Sequence, residues 1–396
     1  TETADLADFF LQVRPGTDAF CLGAMLGVLV QEDLIDQKFL ARHAGEGGAL
    51  LEALAEVPVA DYCGRADVPE DLVRAAARRL AQAESVAVLE DLGIEMAPHS
   101  TLNSYLQKLL YTLTGNFGRP GTMNLGTHLG KLAGDSKADR RTPVGGHRII
   151  TGLIACNHLA DEILSDHPDR FRAALIESGN PVHSLADSPR MREALDALEC
   201  LVVIDVAMTE TAERADYILP GSSQYEKPEA TFFGGGFPDH VFQMRHPLFE
   251  PAEGTLPEPE IHSRLVAALG GYEEEQLTGL RSAAKAGLPE FGRAFTAALA
   301  ERPEWGGIAP VLLYETLGRS LGDGLAPAAL FWAASQNCAA SYPDSVRRAG
   351  FEGEGAALGD ALFEAIITRK EGVVITSDPY EISFERIGTD DRRIQL

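Results

Sequence analysis

Cysteine is scarce in this 396-residue chain, and its five members, Cys21, Cys63, Cys156, Cys200 and Cys338, form no CxxC pair. That scatter excludes a zinc ribbon and an iron–sulfur ligand run. Five isolated thiols fit buried structural cysteines in a reducing setting, and a cytoplasmic location is expected. The ten histidines include no HExxH, so no residue reads as a metal ligand. An uninterrupted apolar run of about eighteen residues, long enough to cross a membrane, is also missing. So are GxGxxG and GxxxxGKS/T, which excludes an ordinary dinucleotide fingerprint and a P-loop. Basic residues are few: 34 stand against 59 acidic ones, a net charge of −25. Such a surface repels nucleic acid, which is excluded as a partner.

What is present suffices for real cores, since 45 % of residues are hydrophobic, and the length implies two or three domains. One phrase occurs twice. "TETADLAD" opens the chain and "TETAERAD" returns at Thr209–Asp216. Six identities in eight residues are a weak signal alone. The match continues, with Phe9-Phe10-Leu11 against Tyr217-Ile218-Leu219, so two copies of one structural unit are expected. Thr1 stands inside the first copy, and a parent chain that starts earlier is expected.

Helical periodicity marks "AFCLGAMLGVLVQEDL", "QKFLARHA", "PEDLVRAAARRLAQ" with Pro69 at its start, and "TLNSYLQKLLYTLTG" closed by Gly115. "SVAVLED" has the length and composition of a strand. Residues 123–146 read as a long loop. A second unit is expected to open with a helix over "ITGLIACNHLADEILSD". It continues with a strand in "RAALIESGNP", a helix in "SPRMREALDALE", and strand, helix and strand in "CLVVIDVAMTETAERADYILP". Strands alternating with helices predict a parallel sheet covered on both faces. Residues 271–329 read as helical, and the last 26 residues as β-like.

Ligands of open α/β sheets bind beyond the carboxyl ends of the strands. Asp205 ends one apolar run, where its carboxylate either receives ribose hydroxyls or a guanine edge, or simply closes a turn. Thr209 and Thr211 fall in the expected first helical turn. There they offer hydroxyl and backbone N–H groups to a phosphate, or cap the helix. One strand earlier, Gly179 lets a ligand approach the backbone and Asn180 supplies both donor and acceptor, although ordinary loop chemistry explains both. Asp18 in "RPGTD" stands equally at a helix start.

Taken in order, "TETADLADFFLQVRPGTD", "LTGNFGRPG", "ESGNP" and "DVAMTETAERADYILP" resemble the molybdopterin oxidoreductases of the dimethyl-sulfoxide-reductase type, which include formate dehydrogenases and nitrate reductases. The resemblance covers roughly residues 1 to 270. It implies an α/β fold of two Rossmann-like lobes with mainly parallel sheets, related by pseudo-twofold symmetry. The lobes would be residues 1–148 and 149–270, with a helical and β tail over 271–396. It implies bis-molybdopterin guanine dinucleotide carrying molybdenum or tungsten, with a small-molecule substrate and a redox partner. It assigns Gly16 and Asp18 to the first guanine pocket and Gly179, Asn180, Asp205, Thr209 and Thr211 to the second. His99 in "LGIEMAPHS" resembles a loop beside a pterin, or is a polar cap. Asn116 and Gly118 resemble the turn that supports it. Departures appear at "TMNLGTHLGKLAGDS" and "EKPEATFFGGGFPDH". The iron–sulfur region, the metal-binding residue and the pterin-covering domain of relatives are not recognisable here. Residues 1–396 alone are therefore expected to be inert, with no cofactor firmly bound. Two other readings stay open: a cofactor-free scaffold subunit that keeps the fold, and an unrelated nucleotide-binding α/β enzyme.

Overall fold

The computed structural model describes residues 2–130, 139–231, 235–322 and 324–396. They form two compact units, Thr1–Gly126 joined by Asp378–Leu396, and Thr127–Ser377. The expected divisions at residues 148 and 270 both lie within the second unit.

The first unit is helical: α1 (Asp18–Gln31), α2 (Gln37–His43), α3 (Gly48–Ala55), α4 (Val59–Ala66), α5 (Glu70–Gln82), the single turn α6 (Leu92–Glu95), and α7 (Ser100–Leu113). Helix α1 is apolar on nearly every face, so it becomes the centre of the core rather than a surface helix. Ala24, Leu26, Val28 and Leu29 are fully buried in a cluster with Val73, Ala77 and Leu113. Gly27 lets the neighbouring chain come close, since a Cβ there would lie 2.9 Å from Val57. Burying each such leucine or valine contributes about 1.5–3 kcal/mol. On the rim of this core, Glu32 receives Arg78 Nε and Arg74 Nη1, the latter at 3.0 Å.

Here the structure corrects the sequence. Among its described residues the first unit contains no strand, only the isolated bridges Ala44–Ile394 and Phe117–Met123. "SVAVLED" does not pair with another strand. The Val86 N–H donates to Asn116 Oδ1 at 2.9 Å, and the Val88 N–H to Met123 Sδ. A short apolar run becomes a strand only where another strand receives its ladder, and side chains have taken that place. Among the described residues, the expected sheet of a first Rossmann-like lobe is thus not found.

The second unit begins with a small hairpin, β1 (Arg140–Arg141) against β2 (Arg148–Ile149). The helix expected over 150–166 shrinks to a 3₁₀ turn at Cys156–His158 and α8 (Leu159–Leu164). Thr151 at φ +54° and Gly152 at φ +90° break its first turn. A three-stranded parallel sheet follows, made of β3 (Ala173–Glu177), β4 (Cys200–Asp205) and β5 (Tyr217–Pro220), in that spatial order. The links from β3 to β4 are α9 (Pro181–Ser184) and α10 (Ser188–Asp196). One sheet face buries Leu201 and Val203 against Ile163, Met191 and Leu195, with Ala174, Ile176 and Ile218 beside them.

The rest is a helical body with short antiparallel pairs: β6 (Glu229–Ala230), β7 (Asp239–Phe242), β8 (Met244–Arg245), α11 (Glu258–Ala268), α12 (Glu274–Ala286), α13 (Leu288–Glu301), α14 (Ala309–Glu315), α15 (Leu330–Ser341), α16 (Pro343–Arg348), α17 (Ala356–Thr368) and β9 (Val373–Ser377). The helices expected after residue 271 are present. Of the β-like end, only β9 is a strand, antiparallel to β7. Among the described residues, no helix is long and apolar enough to cross a membrane.

Candidate functional site

The carboxyl ends of β3 and β4 bring three of the expected residues together. Strand β3 stops where Ser178 takes a left-handed φ of +51°, its N–H still donating to Ile204 O at 2.9 Å. Gly179 and Asn180 then turn the chain, and Pro181 opens α9 because its missing N–H costs nothing there. On the adjoining strand, Asp205 Oδ1 accepts the Ala207 N–H at 3.1 Å, an Asx turn that starts the loop.

The helix expected after Ala207 is not formed. Instead Ala212–Arg214 make a single 3₁₀ turn, with Thr209 Oγ1 accepting the Ala212 N–H at 3.1 Å. The reason is length. The 11 residues between Asp205 and Tyr217 must carry the chain back from the carboxyl end of one strand to the start of the next. A helical parallel crossover needs about a dozen or more.

Thr211 is fully buried and links the two strand-end loops. Its Oγ1 accepts the Val182 N–H at 3.2 Å and donates to Asn180 Oδ1 at 2.8 Å. Because that hydroxyl proton faces Oδ1, the orientation of the Asn180 amide is decided: its NH₂ points the other way. There it donates to Glu210 Oε2 at 2.6 Å. The Asn180 hydrogen bond, with the charges of His183 and Arg192, holds the Glu210 carboxyl below the usual range. The His183 ring stands 4.0 Å from Glu210 Oε1. Val206 and Met208 lie in the same loop, 62 % and 65 % exposed, so an apolar surface flanks the polar cluster.

The sequence reading missed Glu210 and His183. Its signal for Glu210 was the repeat itself, which carries glutamate in both copies as Glu2 and Glu210.

From Thr3 to Ala7 and from Thr211 to Ala215 the two phrases share one backbone path. Thr3 (φ −64°, ψ −38°) and Thr211 (φ −75°, ψ −46°) each precede a 3₁₀ turn, Ala4–Leu6 and Ala212–Arg214. Ala7 and Ala215 then leave it at ψ 137° and 141°, each N–H returning to the first alanine of its turn. The copies part afterwards. Tyr217–Pro220 form β5, whereas Phe9–Leu11 form no strand.

The first unit's expected residues fall into two groups. A Cβ on Gly16, at φ +82°, would stand 3.6 Å from the Pro98 ring, which brings the 14–17 loop beside His99. His99 itself is left-handed at φ +61° and precedes α7, its carbonyl accepting the Asn103 N–H at 3.0 Å. Asp18 is the first residue of α1, a favourable place for negative charge. Asn116 and Gly118 share one turn. Asn116 is buried and fully engaged: Oδ1 accepts from Val86 N and Arg119 Nη2, and Nδ2 donates to Thr114. It braces the loop. Gly118, at φ +72°, faces the Phe384 ring, 2.3 Å from where a Cβ would be.

Among the described residues no three His, Cys, Asp or Glu side chains converge to hold a metal ion. The second-unit cluster instead groups an amide, the Thr209 hydroxyl and two carboxylates at a sheet's carboxyl edge, groups of the kind that meet a nucleotide's base and sugar, while the Thr211 hydroxyl is buried behind them and spent on Val182 and Asn180. The departures at 122–136 and 226–240 lie partly outside the described residues.

Comparison with known proteins gives this geometry its context. Formate dehydrogenase H of Escherichia coli is 28 % identical over 308 residues, covering 68 % of this chain and 40 % of that protein. A nitrate reductase of Symbiobacterium thermophilum is 30 % identical over 266 residues, covering 57 % of this chain and 34 % of the relative. The chain thus spans between about a third and two-fifths of the length of the relatives it matches. Acetylene hydratase from Pelobacter acetylenicus shares the fold, with a TM-score of 0.59 at 21 % identity, over 68 % of this chain and 42 % of that one. The profile "Molybdopterin oxidoreductase" matches residues 3–253, well over half of the chain. That match removes the unrelated nucleotide-binding enzyme from consideration, and the chain belongs to the molybdopterin oxidoreductase family.

Proposed function

We propose that the carboxyl edge of β3 and β4 holds the guanine-nucleotide end of one molybdopterin guanine dinucleotide within a bis-molybdopterin enzyme. The carrying observation is the Thr211–Asn180 bond, which fixes two strand-end loops against each other beside Asp205. When bound, the cofactor supplies molybdenum- or tungsten-centred redox chemistry. The work of this chain is to bind and orient it. Asp205 accepts the paired N1–H and N2–H donors of guanine, which adenine lacks. Thr209 and the Gly179 backbone face the ribose and phosphate. Val206 and Met208 offer apolar contact to the base. In the first unit, Gly16, Asp18 and His99 belong to the corresponding site for the second dinucleotide, with Asn116 and Gly118 bracing the loop beside it. The matched 3₁₀ turns of the two phrases support their equivalence across two related lobes.

The parent protein then transfers an oxygen atom or a hydride equivalent to or from a small molecule and passes electrons to a redox partner, as a formate-dehydrogenase- or nitrate-reductase-like enzyme. Residues 1–396 alone bind nucleotide without turnover.

Calorimetric titration of the chain with GMP and AMP tests the guanine assignment. GMP should bind in the high-micromolar to millimolar range. It should be preferred roughly tenfold, the effect of about 1.4 kcal/mol from one satisfied pair of donors. Asp205→Ala should remove the preference and leave the fold intact. Equal binding of both nucleotides by the unsubstituted chain would contradict the assignment.

A further inference from the structure

We propose that Glu210 is a charge latch on this edge: its carboxylate occupies the Asn180 amide in the ligand-free chain, and an anionic ligand engages the loops by displacing it. The proposal rests on the reading of the edge as a site for a nucleotide's phosphate and sugar, and adds a regulating residue to it.

The geometry is specific. Thr211 directs the Asn180 NH₂ outward, and Glu210 Oε2 receives it at 2.6 Å. A ligand phosphate that seeks the same donor meets a full negative charge already in place. The cations nearest it, His183 and Arg192, already act on the Glu210 carboxylate. Glu177, at the end of β3, is engaged by His262 at 2.6 Å, and Asp205 is a third carboxylate at the next strand end. The Glu210 side chain is half exposed, so it can leave without opening the core. The His183 ring lies 4.0 Å from Oε1 of the same carboxylate and is itself 77 % exposed. An aspartate at this position would lack the reach given by the extra methylene.

The repeat supplies an internal control. Glu2 occupies the same place in the first phrase, is exposed, and has no bonding partner among the described residues. A latch is therefore expected only at Glu210.

The test titrates inorganic pyrophosphate, GMP, AMP and uncharged guanosine into the 396-residue chain and its Glu210→Gln and Glu2→Gln variants. Glutamine keeps an acceptor for Asn180 and removes only the charge. Pyrophosphate and GMP should bind Glu210→Gln about fivefold or more tightly, the scale of one unit repulsion at contact distance in water. Guanosine should be unaffected, and Glu2→Gln should match the unsubstituted chain. Unchanged or weaker anion binding by Glu210→Gln would overturn the latch, as would no pyrophosphate binding by either form. Weaker guanosine binding would overturn it too, by making Glu210 a reader of the base. If GMP and AMP bind alike but both gain from Glu210→Gln, the guanine assignment falls and the latch stands. A GMP preference without that gain overturns the latch and leaves the guanine assignment standing.

Discussion

Thr211 Oγ1 donates to Asn180 Oδ1 at 2.8 Å across 31 residues of sequence, while accepting the N–H of Val182. This buried hydroxyl joins the ends of two parallel strands, so it serves the fold and the candidate site together. Thr211→Val keeps the shape and leaves both partners unsatisfied. It should lower stability by about 1–3 kcal/mol in denaturant titration, and Thr211→Ser should restore most of that. Thr3, its counterpart in the first phrase, is exposed. Thr3→Val should change stability by less than about 0.5 kcal/mol, as surface substitutions usually do. Equal losses at the two positions would contradict this account of Thr211.

Gly118 and Gly16 make a second contrast. Both sit at left-handed φ, which costs a residue with a Cβ about 1–2 kcal/mol. At Gly16 the nearest atoms to a new Cβ are 3.6 Å away, so Gly16→Ala should cost only that amount. At Gly118 the Cβ would meet the Phe384 ring at 2.3 Å, adding overpacking of about 1–3 kcal/mol. Thermal or denaturant unfolding should therefore show Gly118→Ala to be clearly the more damaging. Similar values for the two would mean that the Phe384 ring moves aside freely.

Glu162 gives a pH prediction. Burial pushes its carboxyl up, but the Thr142 hydroxyl and the N–H groups of Gly145 and Val144 outweigh this and hold it below its ordinary 4.5. A folded value below the unfolded one means that its stabilisation is present above about pH 4.5 and is lost as pH falls through the folded value. Glu162→Gln should lower stability at pH 7 by about 1–3 kcal/mol, since an amide presents donors to donors. It should also flatten the loss of stability on the acid side. A variant with an unchanged acid limb would show that Glu162 does not contribute to it.

The sequence made much of this fold legible, for identifiable reasons. Helices α1, α5 and α7 carry long apolar periodicity and clear ends, signals that survive without tertiary knowledge. Strands β3 and β4 were legible as short apolar runs, the first running into the turn Ser178-Gly179-Asn180-Pro181 and the second ending at Asp205. "SVAVLED" shows the same pattern and forms no strand, because pairing depends on a neighbour that local composition does not reveal. The helix expected after Ala207 failed against a chain-length constraint: 11 residues close the crossover only through tight turns. In the site, the chemistry of Asn180, Asp205, Thr209 and Thr211 was visible as residue types at strand ends. That Thr211 would bond Asn180, and that Glu210 would take the remaining face of its amide, depends on contacts about 30 residues apart, beyond the reach of any local pattern.

The measurement that tests the central claim most directly is residue-resolved NMR of the isotope-labelled chain during titration with GMP, and separately with AMP. The account predicts that GMP shifts the amide signals of Gly179, Asn180, Val206, Met208 and Thr209, together with the Asn180 side-chain NH₂, and that AMP does so far more weakly. Shifts clustered away from residues 178–180 and 205–211, or identical responses to the two nucleotides, would contradict it.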